Sequence, residues 1–283
     1  MAKPRKPIVA IMYDFDKTLS TKDMQEFGFI PSLGEEAKQF WAESDGLAVE
    51  HDMDHILAYM YLMLKKAKEK GMPITRESLT LSGKHIEYFP GVEDWFQRIN
   101  AYGKEQGVKV EHYVISSGLT EIIEGSSIAK YFTKIYGCEY LYDENGEAVW
   151  PKLCVNYTNK TQFLFRINKG VLDVCDDRTL NGYVQEEDRR VPFANMIYIG
   201  DGLTDVPCMK LVKLHHGQSV AVFRRREKLT AKKLLSEKRV DFITEADYRE
   251  GEELELIVKT AINKMAVSER LTRLHKKHKR SIT

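Results

Sequence analysis

The chain has 283 residues, 43% apolar and 30% charged, with 43 Lys+Arg against 42 Asp+Glu. That length fits two domains, or one core with a large insertion, and the composition excludes collagen-like, disordered and disulfide-framework proteins. A formal net charge of +1 leaves no global field to draw the chain onto nucleic acid or anionic lipid, so neither partner is expected.

The apolar stretch Ile8–Tyr13 follows Lys3, Arg5 and Lys6, but Asp14 and Asp16 end it too early for a signal peptide. No run approaches the roughly 18 consecutive apolar residues of a membrane span. Cys138, Cys154, Cys175 and Cys208 are far apart with no C-x-x-C pair, which argues against a zinc ribbon and for reduced thiols; the expected compartment is the cytoplasm.

Ile8–Tyr13 is β-branched and apolar throughout, the pattern of a strand buried on both faces. Residues 20–90 change to helical spacing, as in Ile56, Leu57, Tyr59, Met60, Met63 and Leu64, until Gly71-Met-Pro73 stops the run. A helix over Val92–Glu105 and a strand over residues 108–115 follow, the strand ending in Ser116-Ser-Gly118. A helix is expected around residues 119–130, then a hairpin whose arms, residues 135–142 and 148–150, flank the turn Asp143-Glu-Asn-Gly146. Thr158 or Asn159 is placed to cap a helix holding Phe163, Leu164 and Ile167, and residues 178–190 read as a polar loop. Residues 196–199 form another buried strand running into Gly200-Asp-Gly-Leu-Thr-Asp205, with short strands at 219–223 and 240–243. No repeat of 20–50 residues is visible.

Strands alternating with helices predict an α/β fold built on a Rossmann-like, doubly wound parallel sheet, whose ligands bind at the carboxyl ends of strands. Three strand ends carry polar clusters: Asp14/Asp16/Thr18, Ser116/Ser117/Gly118 and Asp201/Asp205. The pattern Asp14-x-Asp16-x-Thr18 alone is also what a solvated turn looks like, but G-D-G-x-x-D after a second buried strand makes coincidence a poor account. Four converging carboxylates raise one another's pKa unless a hard divalent cation joins them, and Mg²⁺ is the expected ion.

These motifs resemble those of the haloacid dehalogenase superfamily, in its phosphoserine-phosphatase-like branch with an inserted α-helical cap. Asp14-x-Asp16-x-Thr18 matches the first motif, Ile115-Ser116-Ser-Gly118 the second, Lys160 the third and Gly200-Asp201-Gly-x-x-Asp205 the fourth. The resemblance implies a core of residues 1–19 and 91–263, a cap of residues 20–90, and a basic stretch, 264–283, behind the core. It implies Asp14 as nucleophile, Asp16 as acid and base with its carbonyl on the metal, and Lys160 neutralising the transferred phosphoryl group. Asp14, Asp16, Asp201 and Asp205 would form the metal site, while Ser116, Ser117, Gly118 and Thr18 would belong to the phosphate site, Thr18 bracing its loop. Lys152 and Lys169 are rivals to Lys160, and surface lysines are the ordinary expectation.

The function so implied is a Mg²⁺-dependent phosphatase acting on a small phosphorylated metabolite through an aspartyl-phosphate. A phosphomutase on the same core, or a protein that only binds phosphorylated ligands, is the alternative. A helical cap resembles a lid that closes over small substrates. Residues 23–54 carry nine acidic residues and only Lys38 as a base, with Phe27, Phe29, Phe40 and Trp41 among them; this reads as a solvated face or as a pocket for a cationic alcohol phosphate. No arginine lies between Thr21 and Thr75, unlike the cap arginine of phosphoserine phosphatases, which leaves Arg76 or a lysine to hold a substrate carboxylate. His51 and His55 lack the H-E-x-x-H order of a metal pair. The stretch 270–280 is basic without aromatics and reads as a frayed, solvated tail. Oligomeric state is not legible.

Overall fold

A computed structural model describes residues 6–225 and 227–280. Seven strands form one sheet in the order β4-β3-β2-β1-β5-β6-β7. They are β1 (Ile8–Tyr13), β2 (Lys109–Leu119), β3 (Phe132–Tyr142), β4 (Ala148–Leu153), β5 (Met196–Gly200), β6 (Gln218–Phe223) and β7 (Phe242–Glu245). All neighbours pair in parallel except β3 with β4, the expected hairpin.

Chain order runs outward from β1 in both directions, through β2 on one side and β5 on the other. Right-handed crossovers therefore put α5 (Val92–Glu105), which leads to β2, and α9 (Val206–Leu214), which leads to β6, on opposite faces. α11 (Glu253–Arg280) packs with α5 through the Arg98 Nε–Glu255 Oε1 pair at 3.1 Å, and α7 (Lys160–Lys169) packs with α9. The topological switch falls at β1, so the carboxyl ends of β1, β2 and β5 open toward one crevice. Asp14 N–H donates to the Ile199 carbonyl at 2.9 Å, which ties the first motif to the strand carrying the fourth.

The chain leaves the sheet after Leu19 and returns at Phe89, where Phe89 N–H donates to the Leu19 carbonyl and Thr21 N–H to the Glu87 carbonyl. Between them lie α1 (Phe29–Ser32), α2 (Ala37–Glu50), α3 (His55–Glu69) and α4 (Arg76–Ser82). α4 packs on α6 (Thr120–Glu124) so closely that a Cβ on Gly125 would meet the Thr80 carbonyl oxygen at 1.8 Å. That contact explains why the helix expected over 119–130 is a single turn: β2 runs on to Leu119 against Cys138 of β3, and the insert leaves no room for a longer helix.

Elsewhere the chain departs from expectation at two further places. The polar segment 178–190, read as a loop, contains a short helix, α8 (Asp177–Asn181), and Gly170 in the left-handed region ends α7 just after its expected residues Phe163, Leu164 and Ile167. Of the basic stretch 264–283, the part expected to fray, residues 270–280, is helical, and its described side chains are exposed as expected. α11 packs on the core through Leu254, Val258, Ile262, Met265 and Ala266 at helical spacing and runs on to Arg280; α10 (Lys228–Ser236) precedes it between β6 and β7. Residues 281–283 of that stretch lie outside the described residues.

Candidate active site

β1 delivers Asp14 at its carboxyl end, and the following turn, with Lys17 at φ 57°, carries Asp16. Lys160 opens α7. Its approach is set by Asn156, whose side-chain Oδ1 accepts the N–H groups of Thr158 and Asn159 at 3.1 Å each; Asn159 stands at the cap position of α7, as expected, but its side chain makes no cap bond there. Lys160 Nζ then lies 3.0 Å from Asp14 Oδ1 and 2.9 Å from Asp205 Oδ1. Lys160 is 1% exposed and Asp205 0%. The rivals are committed elsewhere: Lys152 to Glu139, and Lys169 to the carbonyls of Leu180 and Gly182.

Asp14, Asp201 and Asp205 offer carboxylate oxygens within 4.8 Å of one another, and no other such group of His, Cys, Asp or Glu occurs among the described residues. Burial and the Asp205 charge push Asp14 up to about 7, against the pull of Lys160. Burial, then Asp14 and Asp205, hold Asp201 well above the usual carboxylate range. Burial opposes the charge on Lys160, yet Asp14 and Asp205 keep its ammonium above the usual lysine range. One ammonium cannot compensate the ionised forms of three buried or half-buried carboxylates, which is why burial and mutual repulsion raise Asp14 and Asp201. Hard oxygen donors so arranged fit a divalent cation such as Mg²⁺.

Asp16 is outside that cluster. Its Oδ1 accepts the Met24 N–H at 2.8 Å, and its Oδ2 faces Gly118, where an added Cβ would come within 3.0 Å of it and 2.1 Å of Met24 Cε. Burial, then the charges of Asp23 and Asp14, raise Asp16 well above its ordinary value, so the carboxyl favours its protonated form. The structure thus brings Asp16 and Gly118 face to face. Ser116 Oγ accepts the Gly118 N–H at 3.0 Å, within β2 rather than at a helix start. The Ser117 carbonyl accepts from Tyr59 Oη at 2.7 Å. Thr18 is buried, its carbonyl accepting from Tyr248 Oη at 2.8 Å and its Oγ1 without a partner among the described residues.

Several contributing residues carry no motif. Tyr198 Oη donates to Asp205 Oδ1 at 2.8 Å; a fully buried tyrosine two residues before Gly200 was a readable signal, since a buried hydroxyl demands an acceptor. Met24 Sδ accepts the Leu119 N–H. Of the acidic insert residues, Asp23 pairs with Lys17, Glu26 accepts from Trp41 Nε1, and Glu35 and Glu43 enclose Lys66, whereas Glu36, Glu50 and Asp52 are exposed. Arg76 pairs with Glu121 and Glu124 over the Tyr142 ring. His55 pairs with Asp45, and His51 is exposed.

A family model described as Putative Phosphatase matches residues 9–262. An uncharacterized protein of Borreliella burgdorferi is 28% identical over 277 residues, covering 88% of this chain and 95% of its own. Among solved structures, a hydrolase of the haloacid dehalogenase family from Salmonella enterica subsp. enterica serovar Typhi is similar with a TM-score of 0.55 and 17% identity, over 86% of this chain and 69% of that one. A phosphoserine phosphatase solved as a phospho-aspartyl intermediate analogue is similar with a TM-score of 0.55 and 14% identity, over 90% of this chain and 99% of that one. No helix among the described residues is long and apolar enough to cross a membrane.

Proposed function

We infer that the protein, a phosphatase belonging to the Putative Phosphatase family and having the fold of the haloacid dehalogenase superfamily, hydrolyses a small phosphomonoester through a phosphoryl group carried on Asp14. The observation that carries this reading is Lys160 Nζ bonded at once to Asp14 and Asp205. A buried lysine so placed holds positive charge where an anionic carboxylate must meet an anionic phosphate.

Asp14 attacks phosphorus, and the leaving alkoxide takes a proton from Asp16, whose carboxyl burial keeps protonated. Asp16, now a carboxylate, takes a proton from water as that water attacks the phosphorus of the aspartyl-phosphate, releasing inorganic phosphate and restoring Asp14. Ser116 and the N–H groups of Ser117 and Gly118 receive phosphoryl oxygens, Ser116 Oγ exchanging the Gly118 N–H for the ligand. Thr18 braces the turn through its bond with Tyr248. Asp14 and Asp201, with Asp205 behind them and the Asp16 carbonyl, would hold Mg²⁺, which when bound supplies the positive charge that lets nucleophile and phosphate approach. Residues 20–90 form the lid over a small substrate, its α3 resting on Ser117 through Tyr59.

Release of inorganic phosphate from a panel of small phosphomonoesters, with Mg²⁺ and with chelator, tests the reading on wild type and Asp14→Asn side by side. Mg²⁺-dependent release that vanishes in the variant is expected. A variant that keeps near-normal turnover removes Asp14 as nucleophile. Phosphate retained on a sugar in the presence of a sugar bisphosphate would instead identify a mutase, and binding without release a binding protein.

A further inference from the structure

We propose that Asp54 and Asn156 form a latch through which the insert positions Lys160, so that docking of the α3 N-terminus sets the reactive geometry. The proposal rests on the phosphatase reading for its kinetic consequence. Asp54 caps α3, its Oδ1 accepting the N–H groups of Ile56 at 2.9 Å and Leu57 at 3.2 Å. Its other oxygen, Oδ2, reaches 102 residues along the chain to accept Asn156 Nδ2 at 2.9 Å.

Asn156 has no polar atom left over. Its N–H donates to Asn159 Oδ1 at 2.9 Å, its carbonyl accepts the Lys160 N–H at 3.0 Å, and its Oδ1 holds Thr158 Oγ1 at 2.6 Å besides the two backbone N–H groups. Asn159 Nδ2 returns to the Cys154 carbonyl at 2.8 Å. The turn is therefore a closed set of bonds ending at the backbone of Lys160, and it is tied to the insert through Asp54, whose Oδ2 takes the Asn156 amide and whose Oδ1 also accepts from Cys154 Sγ at 3.8 Å. Capping needs only Oδ1 of Asp54, and water could satisfy Oδ2 equally well; the bond to Asn156 serves the turn, not the helix.

One helix thus touches both halves of the site: Tyr59, one turn along α3, holds the Ser117 carbonyl while Asp54 holds the turn before Lys160. A misplacement of about 1 Å in a catalytic constellation can cost on the order of 10²-fold in rate. Asp54 and Asn156 are positioning residues, acting through Lys160 rather than on substrate.

Exchanging the donor and acceptor tests the latch. Asp54→Asn keeps a good cap, so it folds, but its single oxygen cannot serve both the helix and Asn156. Asn156→Asp sets two carboxylates against each other. In the double variant Asp54→Asn/Asn156→Asp, the amide introduced at position 54 donates to the carboxylate introduced at position 156, and the α3 cap and the turn's bonds to Thr158 and Asn159 survive. With p-nitrophenyl phosphate and Mg²⁺, each single change is expected to lower kcat by about tenfold or more with KM moving much less, and the double to recover to within about threefold of wild type. Singles within about twofold of wild type, or a double no better than the singles, overturn the proposal. Acylation of Lys160 by acetic anhydride, read by peptide mass spectrometry against exposed Lys210, gives a readout free of activity: Asp54→Asn should label Lys160 faster and the double should restore protection. If the wild type releases no phosphate, the phosphatase reading fails, and the labelling still decides the latch, unchanged labelling overturning it.

Discussion

Tyr198 on β5 and Asp205 share a hydrogen bond of 2.8 Å, and the oxygen that accepts it also accepts Lys160. The buried Asp205 is thus fixed at Oδ1 by two donors, leaving Oδ2 toward the Gly202 N–H. Tyr198→Phe removes one donor without changing shape. A hydrogen bond to a charged group contributes about 1.5–3 kcal/mol, so the urea midpoint should fall accordingly, and turnover should drop about tenfold as Lys160 shifts between its partners. Unchanged midpoint and unchanged kcat would mean that Tyr198 is only core.

Metal and pH act on the same carboxylates. Asp14 is raised to about 7 in the folded protein, above its unfolded value of 3.8, so its protonated form favours folding. That contribution is full below the unfolded pKa and is lost as pH rises through about 7. Mg²⁺ needs the ionised form and takes over the compensating charge. The increase in melting temperature on adding Mg²⁺ to chelator-treated protein should therefore grow from pH 5 to pH 8, each unit of pKa being worth about 1.4 kcal/mol. A Mg²⁺ effect that is the same at both pH values would point to binding away from these carboxylates.

Much of this site was legible because strand ends and close spacing announce it. β1 and α5 fall where periodicity placed them, and Asp14, Asp201 and Asp205 meet as the order of their strands required, with Lys160 reaching them from the start of α7. What was not legible depends on partners far along the chain. The end of β2 was hidden because Leu119 pairs with Cys138, and the shortening of α6 because Gly125 lies under Thr80. The acidic run 23–54 reads as surface until Lys66 is seen buried between Glu35 and Glu43. Tertiary packing overrides local pattern in each case.

Glu111 and Arg190 offer an acid-side test. Arg190 Nη1 and Nη2 lie 2.8 and 2.7 Å from the two Glu111 oxygens, pinning the segment before β5 to β2. Burial works against the Glu111 charge, yet Arg190, Lys109 and Tyr113 bring it down to about 2. A depressed folded-state pKa contributes stability above the unfolded value of 4.5 and loses it as pH falls through about 2. Arg190→Ala leaves a buried carboxylate short of its main partner and should cost about 3 kcal/mol at pH 7. It should also bring the acid-unfolding midpoint to higher pH, followed by circular dichroism. An unaltered acid midpoint would show that Lys109 and Tyr113 suffice.

The boundary near residue 264 is decided by where α11 stops touching the core. Met265 and Ala266 are buried, and Asn195 Nδ2 donates to Glu269 Oε1 at 2.9 Å, whereas Leu271 and Leu274 are exposed. A chain ended after Asn263 loses the buried methionine and leaves the buried Asn195 amide without its acceptor. Burying a methionine is worth about 1.5–3 kcal/mol, and an unsatisfied buried amide adds about 1–3 kcal/mol, so the urea midpoint should fall clearly. A chain ended after Arg270 gives up only exposed side chains among those described and should unfold at the wild-type midpoint with turnover of small phosphomonoesters intact. Equal stability of the two truncations would place the end of the core at 263, as the resemblance implies, and loss of turnover in the longer one would give the exposed end of α11 a part in the reaction.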